Sequence, residues 1–416
     1  MASAGEWRNW PVVAAGAAGV MLATMHAYSL GVMIAPLESE FGWSRAQISS
    51  GILITSVIAV LFSPFMGMAI DRYGPRRIAI SGSISFCCAL ALLSLATASI
   101  WSWWLLWSVL ALALLQIKPT VWITAITSFF NRSRGLAIAI VLCASGVSQA
   151  LTPMVTYRLV ESFGWRSAYV FLGVGMATLV VPIVLIWFTS AQDKARGETG
   201  SPARSVPTNL PGLTIREGLH TATFIKLAIA AVTMSIAGAA LTVNLFPILR
   251  STGLPGATAA TIAGVSGLCA FLGRLGGGYL LDRYNARVIG GVSVLLPVVS
   301  CALLLSHPGS IHVTLVAVVL IGFASGAELD AIAYLAGRSF GLRSFGTLFG
   351  ALTGLITLGV GLGPTIANFV YDRTGSYEAF LIAVIPLSVL TSLLFLTVGA
   401  YPDFDQQHQG RGVSST

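Results

Sequence analysis

The chain has 416 residues, of which 56% are hydrophobic and only 9% are charged. Soluble globular proteins carry roughly a quarter of charged residues, so this composition excludes a protein whose whole surface faces water. The net charge of +8 would favour a nucleic-acid partner in a soluble protein, but basic residues are also typical of the cytoplasmic loops of membrane proteins. We therefore expect a protein surrounded by membrane lipid, with no nucleic-acid partner.

Twelve apolar stretches follow one another along the chain and are numbered here as spans 1 to 12. Each is near the ~20 residues that an α-helix needs to cross a hydrocarbon core of roughly 30 Å, and the alternating pattern of an outer-membrane barrel is absent. The spans lie at 10–36, 46–70, 78–98, 103–129, 135–159, 167–189, 223–249, 257–281, 287–306, 313–337, 346–370 and 378–400. The predicted fold is an all-α membrane protein with 12 transmembrane helices.

The segment between spans 6 and 7 is rich in Ser, Pro, Gly and charged residues, which is typical of a linker. The sequence therefore predicts an N-terminal six-helix bundle at 1–190, a cytoplasmic linker at 191–222, a C-terminal six-helix bundle at 223–400 and a cytoplasmic tail at 401–416.

Alternate loops hold sixteen of the 23 basic residues, whereas the other loops and helix ends hold five. The sixteen are Arg8, Arg72, Arg76, Arg77, Arg132, Arg134, Lys194, Arg196, Arg204, Arg216, Lys226, Arg283, Arg287, Arg338, Arg343 and Arg411. The excess of basic residues in cytoplasmic loops places both termini and the linker in the cytoplasm. The short loops favour a multi-pass protein of a bacterial inner membrane.

The two sets of spans repeat one another. The sequence GMAIDRYGPR at 67–76 matches GYLLDRYNAR at 278–287 with an offset of 211 residues, and the same offset pairs Pro153 with Pro364. Several matches in one register indicate a duplication. Six-helix repeats of this kind give two pseudo-symmetric bundles with a transport path at their interface, near the middle of the bilayer.

The loop after span 2 resembles the signature G-x-x-x-D-R-x-G-x-R-R of the major facilitator superfamily. Its residues here are Gly67, Asp71, Arg72, Gly74, Arg76 and Arg77. The second copy keeps Gly278, Asp282, Arg283 and Arg287 but has Asn285 where the glycine is expected. Asn tolerates a left-handed backbone better than most residues, so we expect the tight turn to survive there. The segments EFGWSRAQIS, RSRGLAIAI and FGWRSAYVF resemble the branch that contains monocarboxylate porters and oxalate:formate exchangers.

The charges of this signature also have a physical interpretation. A carboxylate at the end of one helix accepts hydrogen bonds from guanidinium groups or helix-end amides, and so fastens two helices together. We therefore expect both loops to act in gating, with topology determinants alone as the alternative.

Arg274 lies inside span 8, roughly 12 Å from the cytoplasmic end of the helix at 1.5 Å per residue. An ionised group at this depth costs several kcal/mol and needs a partner or a use. Arginine offers a planar fork that fits a carboxylate. The resemblance implies that Arg274, four residues before Gly278, is a substrate-carboxylate ligand, and the alternative is a permanent salt bridge.

Three further charges lie at similar depth. The repeat offset places Lys118 of span 4 opposite the acidic pair Glu328 and Asp330 of span 10, so an ion pair between the halves is feasible. The two acids are two residues apart on a helix, roughly 200° around it, and cannot face the same spot. Either Lys118 binds substrate and one acid carries a proton, or these charges neutralise each other permanently.

Five other residues are possible members of the cavity lining. His26, Tyr28, Gln149 and Asn244 are polar residues within spans, and Trp122 lies four residues after Lys118. The alternatives are hydrogen bonds or aromatic packing between helices.

These patterns predict a secondary transporter that carries a small organic anion, a monocarboxylate, with a proton or an exchanged anion as its partner. The resemblance implies a second cation on span 11 for a dianion, but Leu352 occupies that position. No Walker loop or metal-binding motif occurs, so we expect a monomer that is not an enzyme and has no cofactor or metal. Proton-coupled efflux of amphipathic compounds and a non-transporting receptor of the same fold remain alternatives.

Overall fold

A computed structural model describes residues 9–130, 133–190, 213–341 and 345–399, except for the side chains of residues 282, 329 and 345. The N-terminal helices are α1 (Trp10–Phe41), α2 (Arg45–Tyr73), α3 (Pro75–Leu92), α4 (Ile100–Leu115), α5 (Pro119–Phe129) and α6 (Arg134–Trp187). The later helices are α7 (Ile215–His220), α8 (Ala222–Val243), α9 (Leu245–Ser251), α10 (Gly256–Arg283), α11 (Ala286–Ser306), α12 (Ile311–Phe340), α13 (Phe345–Thr374) and α14 (Glu378–Leu396).

Eleven helical stretches of the described chain are long and apolar enough to cross a membrane, with α4 and α5 counted together. The longest stretch, α6, contains both span 5 and span 6. The two spans are separated within it at Gly164, which has φ 75° and ψ 165°. This backbone conformation suits glycine and ends a right-handed helix. The prediction of twelve transmembrane helices is therefore confirmed.

Local sequence signals set several helix ends. Ser44 and Gln47 form a capping box at the start of α2, which satisfies backbone N–H groups that have no partner within the helix. Gly42 ends α1 in the left-handed conformation with φ 68°, where glycine is favoured. Pro75 and Pro119 occupy the first positions of α3 and α5, where the missing N–H costs nothing.

Two spans that the sequence predicts as continuous are interrupted in the structure. Span 4 breaks between Leu115 and Pro119, because a proline disfavours helical backbone in the residue before it, and Lys118 there is extended at φ −60° and ψ 155°. Span 7 breaks at Asn244. Pro247, three residues later, has no N–H group and cannot donate the helical hydrogen bond to the Val243 carbonyl. That carbonyl lies against Gly31 of α1 instead.

Each half has its own hydrophobic core. One buried cluster is built from α1–α6 with Val243 added from the other half, and two further clusters are built from α8–α14 with Val32 added. Across the interface α6 packs on α10 and α2 packs on α13. The domain boundaries stay a prediction, since most of the linker at 191–222 and all of the tail at 401–416 lie outside the described residues.

Candidate functional site between the two halves

A cavity of about 400 Å³ lies between the two halves and is lined by residues of both. Its wall is built mainly from apolar and small polar side chains of α1, α2, the first part of α6, α8, α10 and α12. A pocket of this size, with few charged groups in an apolar wall, is typical of sites for small molecules.

Arg274 lines this cavity from α10. Its Nη1 atom donates to the Leu142 carbonyl of α6 at 2.7 Å and to Ser145 Oγ at 3.4 Å. Both acceptors belong to the opposite half, so the guanidinium joins the two halves. Its Nε atom is buried with no hydrogen-bond partner in the described chain. The Nε–H group is therefore a buried donor without a described protein acceptor.

Lys118 also lines the cavity, from the break between α4 and α5. Within the described residues its ammonium group forms no hydrogen bond or ion pair. Without this break, Lys118 and Trp122 would lie on the same face of one helix, because residues four apart on an α-helix are neighbours. The structure thus brings Arg274 and Lys118 to one cavity, and their role in substrate binding stays a prediction.

The two acids of α12 point in different directions. Glu328 lines the cavity and is 7% exposed, whereas Asp330 is absent from the lining and lies within electrostatic range of Arg274. This agrees with the argument that two residues so spaced on a helix cannot face the same spot. A permanent salt bridge between Arg274 and either acid is not formed, because no described oxygen of theirs comes within 4.0 Å.

Three of the other proposed lining residues do reach the cavity. His26 and Tyr28 line it from α1, and Gln149 lines it from α6. The Gln149 amide donates to Ser266 Oγ of α10 at 2.9 Å, which adds a second polar link between the halves beside Arg274. The His26 ring packs edge-on against Phe86 and Trp107 at 6.0 Å between ring centroids.

The two remaining lining predictions are wrong. Trp122 is fully buried, with its indole N–H bonded to the Ile117 carbonyl and its ring packed on Phe188 and Gly19. The four-residue spacing between Lys118 and Trp122 does not put them on one helix face, because Lys118 lies before the first residue of α5. Asn244 is fully buried and accepts a hydrogen bond from Asn368 of α13 at 2.9 Å, so it joins two helices instead.

The loop signatures show one clear helix-to-helix link. Gly74 takes a positive φ of 87° between α2 and α3, and Arg76 donates to the Leu185 carbonyl at the end of α6 at 2.9 Å. Asp71, Arg72, Arg77 and Gly67 lie at these same helix ends. The gating role of this loop stays a prediction.

The second copy of the signature turns differently. Asn285 has φ −65°, so the expected left-handed turn is wrong, and its side chain instead caps α11 by accepting from the Arg287 N–H at 3.1 Å. Arg283 lies over the Tyr279 ring at 4.5 Å, and Gly278 has open space where a Cβ would be. The side chain of Asp282 lies outside the described residues.

A polar cluster that the sequence did not suggest joins the halves at the end of the molecule with the loops 42–44 and 375–377. We call it the outer latch: Glu38, Arg45, Ser49, Asn368, Asp372 and Tyr377. The Asp372 carboxylate accepts from the backbone N–H groups of Arg45 and Ala46 at 3.0 and 2.9 Å. A carboxylate of one half therefore caps the N-terminus of α2 in the other half, where the helix dipole favours negative charge.

Arg45 reinforces the outer latch. Its guanidinium pairs with Glu38 at 3.1 Å and stacks over the Tyr371 ring at 3.7 Å from its centroid. Burial raises the pKa of Tyr377 to about 12, so its hydroxyl keeps its proton and donates to Asn368 Oδ1 at 2.7 Å. These contacts hold α2 against α13 at that end of the molecule.

An Asp372→Asn substitution should weaken the outer latch, because it removes the charge that caps α2. A negative charge at a helix N-terminus contributes typically about 0.3–1 kcal/mol, so we expect the open population at this end to rise about twofold to fivefold. The measurement is the labelling rate of a cysteine placed at Thr24, in a chain without its natural cysteines, by an impermeant reagent added from the latch side. Glu378→Gln, an exposed acid at the same end, is the control. Equal rates in Asp372→Asn and the unsubstituted background would contradict the capping role.

The comparisons with known proteins agree with this architecture. The sequence profile of the Major Facilitator Superfamily matches residues 16–364 and 227–411. Monocarboxylate transporter 12 of Rattus norvegicus is 25% identical over 62% of this chain and 58% of its own length, and monocarboxylate transporter 11 of Mus musculus is 26% identical over 90% and 83%. The chain thus aligns with little more than half of the first of these relatives.

Solved structures share the fold. A bacterial homologue of the human lysosomal transporter Spinster, in an inward-facing and occupied conformation, superposes with a TM-score of 0.67 at 19% identity, covering 95% of this chain and 96% of that one. The unoccupied form of that homologue gives a TM-score of 0.64 at 18% identity. With the repeated loop signature and the two six-helix bundles, these findings show that the chain belongs to the Major Facilitator Superfamily of transporters and is similar to its monocarboxylate transporters.

Proposed function

We propose that the protein carries a small organic anion, a monocarboxylate, across the cytoplasmic membrane by alternating access. The observation that supports this most is the Arg274 guanidinium, which lines a cavity between the halves and whose Nε atom has no protein acceptor among the described residues. The similarity of this chain to monocarboxylate transporters favours the same cargo.

The geometry of Arg274 suits a carboxylate. Its Nη1 atom donates to the Leu142 carbonyl, and a guanidinium is a planar fork that pairs with a carboxylate through two parallel hydrogen bonds. Lys118 lines the same cavity and adds a second positive charge to it. A single carboxylate with an apolar body fits the remaining wall.

The functional test is uptake of labelled monocarboxylates into proteoliposomes that contain the purified protein. We expect saturable, substrate-dependent flux, and a short aliphatic carboxylate is the first probe. Saturable binding without flux would favour the receptor alternative, and transport of amphipathic amines in preference to carboxylates would favour the efflux alternative. Either result would overturn the proposal.

Glu328 is the acid that we propose as the proton carrier, because it faces the cavity without a cationic partner among the described residues. A pH gradient alone, acidic on the side of the labelled anion, should then drive its accumulation. Glu328→Gln should abolish this accumulation while leaving equilibration of the anion across the membrane. Accumulation that ignores the gradient in the unsubstituted protein would favour exchange of anions over symport. Asp330→Asn is measured beside it, since Asp330 lies near Arg274 and is the other acid at this depth.

A further inference from the structure

The short helix α7 is fixed against the C-terminal half at the end of the molecule that carries the linker. The Leu213 N–H group donates to the Phe340 carbonyl of α12 at 3.0 Å. A Cβ on Gly218 would lie 2.5 Å from Leu348 of α13, so α7 and α13 are in close contact there. The orientation of α7 about its own axis is therefore set by the protein.

Two apolar side chains of α7 are exposed. Ile215 and Leu219 are 44% and 40% exposed, and because they are four residues apart they share one face of the helix. At about 100° per residue, this face lies roughly 80° around the helix axis from Gly218, which faces α13. We call Ile215 and Leu219 the apolar pair.

The charged side chains of α7 lie on its other faces. Arg216 and His220 are exposed, and each follows a member of the apolar pair by one residue, roughly 100° further around the helix. The Arg216 guanidinium has no hydrogen bond or ion pair with any residue that the structure describes. Glu217 lies roughly opposite to the apolar pair, and its carboxylate accepts from the Thr214 N–H group and hydroxyl at 2.9 and 2.8 Å. The acid is thus engaged within the helix cap, whereas the arginine is available to a ligand.

The helix α7 lies where the chain enters the membrane. It is followed directly by α8, which is long and apolar enough to span. Ile225 and Ile229, near the start of α8, are 51% and 44% exposed, as expected of side chains that contact lipid. The basic residues of the alternate loops predict that this end of the molecule is cytoplasmic. Anionic lipids of the cytoplasmic leaflet attract basic residues next to a membrane span.

We propose that α7 is an interfacial helix that binds an anionic phospholipid, with the apolar pair among the acyl chains and Arg216 on the phosphate group. A helix with an apolar face beside basic residues lies in the plane of the membrane interface, and the planar fork of arginine matches phosphate oxygens. The apolar pair is far smaller than the roughly 800 Å² per partner of a stable protein interface, which favours lipid over a protein partner. The bound lipid then holds α7, and through Gly218 the start of α13, at the membrane surface.

The first test measures the depth of the apolar pair. Nitroxide labels are attached to Ile215→Cys and Leu219→Cys variants of the full chain without its natural cysteines, in nanodiscs of phosphatidylglycerol and phosphatidylcholine. Both labels should collide more often with oxygen, which concentrates in lipid, than with a water-soluble nickel chelate. A label on Glu378→Cys, an exposed position at the opposite end, should show the reverse. Preferential collision with nickel at positions 215 and 219, or shielding from both reagents by a covering protein segment, would overturn the proposal.

The second test measures the headgroup preference by native mass spectrometry of the full chain titrated with phosphatidylglycerol or phosphatidylcholine. Arg216→Gln should lower the affinity for phosphatidylglycerol relative to phosphatidylcholine about fivefold. Arg216→Lys keeps the charge and should lower it less than about twofold. Arg158→Gln removes an exposed arginine elsewhere and should leave the preference unchanged. An unchanged preference in Arg216→Gln, or an equal fall in Arg158→Gln, would overturn the lipid site. Neither test depends on the cargo of the central cavity.

Discussion

Arg274→Lys should lose nearly all monocarboxylate uptake while the protein stays folded in the membrane. Lysine keeps the positive charge but loses the planar fork and the bond that orients it on Leu142. Hydrogen bonds to charged groups contribute roughly 1.5–3 kcal/mol each, so for the loss of one such bond we expect kcat/KM to fall about tenfold to 150-fold. The measurement is initial uptake of a labelled monocarboxylate at several concentrations, normalised to the amount of monodisperse protein.

Arg158→Lys is the matched control, because Arg158 is an exposed arginine of α6 outside the cavity. It should keep uptake within about twofold of the unsubstituted protein. Arg274→Ala should be at least as defective as Arg274→Lys, and normal transport by the alanine variant would falsify the role of Arg274 as a ligand.

Gly267→Ala should also abolish most transport, for a reason that involves no cargo. A Cβ on Gly267 would lie 2.2 Å from the Ala150 amide nitrogen and 2.5 Å from the Gly146 carbonyl oxygen. Backbone atoms cannot move aside as a flexible side chain can, so the methyl group must push α6 and α10 apart. We expect at least a tenfold loss of flux and faster labelling of the cysteine at Thr24 from the latch side.

Gly276→Ala on the same helix controls for this substitution. A Cβ there would meet no atom within 4 Å, and alanine favours helix over glycine by about 1 kcal/mol at both positions. Uptake by Gly276→Ala should therefore stay within about twofold. If Gly267→Ala transports as well as Gly276→Ala, the close contact of α6 and α10 is not required for the transport cycle.

The helix count was predictable from the sequence because the length of an apolar stretch is a direct measure of a membrane span. The breaks in spans 4 and 7 were not recognised, since hydropathy is uniform across them. The signals were Pro119 and Pro247, which interrupt helical hydrogen bonding at fixed positions. The break at Lys118 explains why Trp122 packs between helices, the alternative to a place in the cavity wall.

The cavity charges were predictable for a different reason. Ionised groups are rare within spans, so Arg274, Lys118 and the acids of span 10 stand out in any reading of the sequence. Which acid faces the cavity was not predictable, because it depends on the rotation of α12 about its axis. That rotation is set by tertiary contacts such as the packing of Gly326 on α10.

The outer latch left only a weak trace in the sequence. The repeat offset that relates the halves pairs Asp372 with Glu161 and Arg45 with Gly256. In one of the two equivalent places Asp372, near the end of span 11, contacts Arg45 at the start of span 2. In the other, Tyr157 near the end of span 5 packs on Gly256 at the start of span 8. Recognition of the latch required the distance between Asp372 and the start of α2, which a sequence does not contain.

The hydrogen bond from Arg274 to the Leu142 carbonyl should slow the conformational change of the transporter without a bound substrate. The guanidinium donates to a carbonyl of the opposite half, and a bound carboxylate would supply an alternative acceptor at the moment this bond must break. Without cargo, the same step leaves a desolvated cation with fewer acceptors, which raises the barrier. Unlabelled anion on the far side of the membrane should then accelerate release of labelled anion. Exchange, in which substrate is bound during both conformational changes, should therefore be faster than net transport.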